Sequence, residues 1–217
     1  MAKQHSRARS GRDTDRKRPS REPNIRVLIV CEGSKTEPHY FEALRIKYRL
    51  AATKIRVKSN ISGTQPRQVV NDACTFFKDY DKEFDHVYAV FDRDDHTTYH
   101  DALNMAQGLN NKLENDFKKK IPFSAIASVP CFELWLLLHF EDVFEYHHRN
   151  AIYEKLKKHL SNYEKGATKT YQHTEQNLSV ALSRAKKMCQ TSNVKAGNEP
   201  FTNVHELVEK LQKVKQI

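Results

Sequence analysis

The chain has 217 residues, of which 29% are charged and 38% hydrophobic, and its mean hydropathy is −0.78. That length suits one domain, with a core that needs neither disulfides nor a structural metal. The charge is basic, 37 Lys and Arg against 27 Asp and Glu for a net +10, which favours polyanionic partners such as DNA or RNA. No apolar run approaches the ~18 residues of a membrane span; the run Leu134 to Leu138 ends at His139. The opening MAKQHSRARSGRD lacks the apolar segment of a secretory leader, so a cytoplasmic protein without membrane contact is expected. Cys31, Cys74, Cys131 and Cys189 lie far apart, without metal-site spacing, and read as reduced, buried thiols.

Residues 1–24 read as a disordered basic arm, with eight Lys and Arg against three acids and no aromatic residue. Arg16, Lys17 and Arg18 are its densest cationic run and its candidate nucleic-acid contacts. The pattern changes at Ile25. IRVLIVC is β-branched and nearly continuous, as a strand covered on both faces should be. Ser34 and Glu37 have capping-box spacing, and Tyr40, Phe41, Leu44 and Tyr48 follow as a helix. KIRVKSN over 54–60 alternates weakly as a strand. Val69 through Tyr80 reads as a second helix, and His86 to Phe91 as a second buried strand ending in Asp92-Arg93-Asp94-Asp95. Ala102, Met105, Leu109, Leu113 and Phe117 suggest one long third helix. Phe123–Ser128 is a short strand, and Pro130 opens the apolar helix CFELWLLLHF.

Alternating strands and helices predict a parallel α/β sheet flanked by helices over 25–142. Residues 143–217 show helical periodicity only, and are expected to pack on that core as a helical portion.

Parallel strands present their C-terminal ends on one edge, where ligands bind. Two strands here end in acid: Glu32 before Gly33, and Asp92-x-Asp94. Residues two apart on a strand share a face, so Asp92 and Asp94 can converge on one hard cation. Gly33 allows a phosphate close to the backbone, and Lys35 is either a phosphate contact or an exposed lysine of the first helical turn. GSKT is not a P-loop, since the first glycine is missing. Glu133 is the one carboxylate in CFELWLLLHF and is either a site residue or an anion on the helix dipole. Asp95 either assists the metal or caps the next helix. His96 and His100 read as exposed helix residues rather than a zinc pair.

The order hhhhCEG–helix followed by hhhFDRDD resembles the Toprim fold of topoisomerases, bacterial primases and overcoming-lysogenization-defect nucleases. More narrowly, CEGSKTEPHYF, VFDRDDH, PCFELWLLLHF and NEPFTNVHELV resemble the RloB-like family of prokaryotic defence proteins, over residues 25–217. The resemblance implies a Toprim-like (Rossmann-like) sheet, a Mg²⁺ or Mn²⁺ site and a setting in antiviral defence beside a partner ATPase. It matches Glu32 to the Toprim glutamate, and Asp92 and Asp94 to the paired aspartates. Asp95 and Glu133 fall within RloB-like segments. The expectation is therefore a metal-dependent nuclease with Glu32, Asp92 and Asp94 catalytic, and with these three, Asp95 and Glu133 as metal ligands. A non-catalytic or latent nucleic-acid-binding subunit of an ATPase-containing complex is the alternative. A homo-oligomer is compatible with either.

Overall fold

A computed structural model describes residues 25–52, 54–196 and 199–215. The basic arm, with Arg16, Lys17 and Arg18, lies outside the described residues. The first unit is β1 (Val27–Cys31), α1 (Thr36–Lys47) and β2 (Ile55–Ser59). The second is α2 (Pro66–Asp79), β3 (His86–Asp92) and α3 (Tyr99–Leu109). A small hairpin, β4 (Leu113–Glu114) and β5 (Lys120–Ile121), leads into β6 (Phe123–Val129) and α4 (Glu133–Leu137). Then follow α5 (Arg149–His159), α6 (Thr170–Thr174), α7 (Leu178–Thr191), β7 (Phe201–Thr202) and α8 (Val204–Lys215).

The main sheet has the order β2-β1-β3-β6-β7. The first four strands are parallel, and β7 runs antiparallel to β6. Every residue of β1 is fully buried, which explains its unbroken apolar sequence. Val27, Ile29 and Cys31 face one layer with Tyr40, Phe41 and Leu44 of α1. Leu28 and Val30 face the other with Val69, Val70, Ala73 and Phe77 of α2. Thus α1 and α2 cover opposite faces as the chain reverses direction about β1. The crevice between the C-terminal ends of β1 and β3 is the topological switch point of the sheet.

Four local expectations are corrected. The capping box at Ser34 does not form: α1 starts at Thr36, its N-cap is Lys35, and no side chain caps it. The third helix stops at Leu109. Asn111 and Lys118 take left-handed backbone, the chain turns into the hairpin, and Phe117 is 76% exposed. The apolar segment after Pro130 contains only a five-residue helix; it is buried on all sides, so its hydrophobicity carried no periodicity. His96 lies in the turn before α3, not on a helix.

The C-terminal portion is helical, and its helices pack into the same apolar layer as α1 through Ile152, Leu178, Ala185 and Leu207. It also contributes the short edge strand β7. All four cysteines are free, with Cys31 and Cys131 buried and the other two partly so. Among the described residues no helix is long and apolar enough to cross a membrane.

Candidate active site

Carboxylates from four places meet around the switch point. Glu32 follows β1, Glu37 sits in the first turn of α1, Asp92 ends β3 and Asp94 follows it, and Glu133 opens α4. Asp92 is nearly buried, and burial pushes its carboxyl well above the usual range. Glu37, Glu32, Glu133 and Asp94 push in the same direction by like-charge repulsion, so all five acids share one electrostatic neighbourhood. Burial likewise raises Glu32 to about 8, with Glu37 and Asp94 adding to it. Glu37 rises to about 7, from burial first and then Glu133.

Each acid is held by specific contacts. The Asp92 N–H donates to Glu32 Oε2 at 2.9 Å, while His96 Nε2 lies 3.0 Å from Glu32 Oε1. Tyr163 donates its hydroxyl to Glu133 Oε1 at 2.8 Å. Arg149 NH1 donates to Asp94 Oδ2 at 2.9 Å, and Asp94 Oδ1 is buried without a hydrogen-bond partner. Strand alternation does not bring Asp94 here, because β3 ends at Asp92. A turn does so instead, with Asp94 at φ 33° and its N–H donating to the Pro130 carbonyl. Arg93 braces that turn by donating to the carbonyls of Asp94 and His96. Gly33 packs closely on the Glu37 carboxylate, which would have to shift to make room for an added Cβ.

Two cations balance part of this charge. Burial works against the charge of Lys165, yet Glu133, Asp92, Glu37 and Asp94 hold its pKa above the ordinary lysine value. Its loop is pinned beside α1: Gly166 N–H donates to Thr36 Oγ1 at 2.9 Å, and His39 Nδ1 lies 3.3 Å from the Gly166 carbonyl. Arg149 is the second cation. Burial keeps the thiols of Cys31 and Cys131 protonated, with help from Glu37 and from Glu133, so neither supplies a thiolate.

Of the residues expected from sequence, Glu32, Asp92, Asp94 and Glu133 come together. Asp95 does not: its side chain is 79% exposed and lies 3.9 Å from His148, outside the cluster. Lys35 is exposed, with its stem against Gly166. Sequence reasoning missed Glu37, His96, Arg149, Tyr163 and Lys165. The spacing from Ser34 marks Glu37 as a cap, and the spacing to His100 marks His96 as an exposed helix residue. Arg149, Tyr163 and Lys165 come from the helical portion, where no local pattern marks them.

By donor chemistry, clustered hard oxygens and an orphaned Asp94 oxygen suit a hard divalent cation. Among the described residues, however, no three His, Cys, Asp or Glu side chains are spaced to hold one ion in this arrangement. Arg149 engages Asp94, and Glu32 is turned toward Asp92 N–H and His96.

Among models of protein families, the one described as RloB-like protein matches residues 27–211 of the chain. No curated protein and no solved structure matches it.

Proposed function

The chain belongs to the RloB-like family, and on that premise we propose that it is a Toprim-type nuclease that cleaves phosphodiesters with Mg²⁺ or Mn²⁺ in prokaryotic antiviral defence. The observation that carries this reading is the five-carboxylate cluster at the switch point, faced by Lys165 and Arg149. Glu32, Asp92 and Asp94 would hold the cation, with Glu133 beside them. When bound, the cation supplies Lewis-acid polarisation of a phosphoryl oxygen and offsets the carboxylate charge.

The chain's own residues do the rest. Glu32, raised to about 8 and contacted by His96, would instead serve as the general base where Asp92 and Asp94 hold the cation without it, since it can hold or release a proton near neutral pH. Tyr163 fixes Glu133, and Lys165 attracts the substrate phosphate to an edge that would otherwise repel it. Arg149 gives Asp94 one donor, leaving guanidinium N–H groups that can face a phosphate.

The test is incubation of the pure protein with plasmid, single-stranded DNA, total RNA and tRNA, in Mg²⁺, Mn²⁺ or EDTA. Wild type should cut at least one substrate with metal and none in EDTA, and Asp92→Asn should cut none. A second reading is a latent subunit that needs a partner ATPase. The engagement of Asp94 by Arg149 favours it, because the guanidinium already offsets the charge of the carboxylate whose free Oδ1 would serve a cation. Cleavage only after addition of a partner ATPase would select this reading.

A further inference from the structure

Helix α5 carries a stripe that starts at the carboxylates with Arg149 and runs beyond them through Tyr153 and Lys157, which the proposed chemistry does not use. Arg149, Tyr153 and Lys157 are four residues apart and therefore share one face. Arg149 is at the acidic centre, through its bond to Asp94. Tyr153 is one turn on, close enough that burial and then Glu133, Cys131, Asp94 and Asp92 all oppose ionisation of its phenol. Lys157 lies one turn further, about 12 Å along the axis from Arg149. The loop after α5 returns to the same face. Lys165 Nζ lies 3.3 Å from the Tyr153 hydroxyl and 5.8 Å from its ring centroid. Tyr153, Lys157, Tyr163, Glu164 and Lys165 line a cleft of about 250 Å³. That is below the ~300–1,000 Å³ of pockets that enclose a whole ligand, and it suits a shallow seat for one flat ring.

A cation–aromatic–cation series whose tyrosine is half-buried against the core, with a flexible lysine head over its ring, has a specific chemical meaning beside the proposed phosphodiester site. Cations hold backbone phosphates, and an aromatic face stacks an unpaired base. A base inside a duplex has its faces occupied and cannot stack there. We propose that this cleft seats the nucleotide next to the reacting phosphate of a single-stranded nucleic acid, with its base on Tyr153 and its phosphates on Lys165 and Lys157. The proposal rests on the nuclease reading for the position of the reacting phosphate. It does not need cleavage to be measured.

The test is fluorescence anisotropy of a 5′-fluorescein tetranucleotide in EDTA, with the full chain. So short a probe draws little on the basic arm, and its duplexed counterpart within a longer hairpin serves as the comparison. Tyr153→Ala and Lys165→Gln should each weaken binding at least tenfold, and Lys165→Gln should also lower the salt slope by about 0.7, as expected for one phosphate contact on a single strand. Tyr153→Phe keeps the ring and should bind within twofold of wild type. Lys157→Gln, on an exposed side chain paired only with Glu154, should show a smaller loss without any change in melting temperature. Wild-type affinity in Tyr153→Ala and Lys165→Gln, equal loss in Tyr153→Phe and Tyr153→Ala, or equal affinity for the duplex would each overturn the subsite. Failure of the nuclease reading looks different: no cleavage by wild type, with the binding differences intact.

Discussion

Tyr163 and Gly33 show how much of the site depends on atoms that carry no charge. The Tyr163 hydroxyl is the hydrogen-bond donor to Glu133 Oε1, on a carboxylate that is 1% exposed. Tyr163→Phe takes the hydroxyl donor from that buried oxygen, at a cost of about 1–3 kcal/mol. The melting temperature should fall, while Tyr153→Phe, which removes a more exposed hydroxyl, should barely move it. Glu133→Gln keeps an oxygen to accept from Tyr163 and removes one like charge. It should leave the metal-free protein as stable as wild type or more so, and lower nuclease activity. A residue that only served the dipole of α4 would give a loss of under ~1 kcal/mol and full activity. Gly33→Ala forces the buried Glu37 carboxylate aside. We expect a destabilisation of about 1–3 kcal/mol, read by denaturant unfolding, together with reduced cleavage.

At the scale of elements, sequence pattern worked where burial was symmetrical. The strands β1 and β3 were legible because both faces are covered, so β-branched residues run without interruption. Their acidic ends, Glu32 and Asp92, were legible for the same reason, since a charge closing such a run has few structural explanations. Glu37 was hidden by a competing local rule: the spacing from Ser34 satisfies a capping box, but the carboxylate turns inward to the cluster. Leu113 and Phe117 continued the period of α3 by coincidence, and the turn at Asn110–Asn111 won. The strand β7 could not be read from two residues. It is fixed by Asn203, which accepts from Ala127 N–H at 2.8 Å and donates to the Ala125 carbonyl at 3.1 Å. Asn203→Ala removes both partners from the backbone of β6. The expected cost is about 1–3 kcal/mol, with faster hydrogen exchange at Ala127 than at the β1 amides.

For the whole molecule, the clustered acids make stability a function of pH and of divalent cations. Glu32 is raised to about 8 and Glu37 to about 7, against ~4.3 for an unfolded glutamate. The folded protein therefore binds more protons than the unfolded chain between those values, and their contribution is lost as pH rises toward 8. His86 and His139, pushed down to about 4 by burial, and His205, pushed down likewise, act oppositely, but most of their gain is in place by about pH 6.5, and the two glutamates dominate above it. In EDTA the melting temperature should fall between pH 6.5 and 8; a rise over that window would contradict the carboxyl assignments. The most direct measurement of the central claim is the melting temperature at pH 8 across a titration of Mg²⁺ or Mn²⁺, in wild type and Asp92→Asn. If the acidic edge is a cation site, wild type gains stability with metal by mass action, and Asp92→Asn starts higher in EDTA and gains little. A wild-type melting temperature that is the same in EDTA and in saturating metal would contradict it.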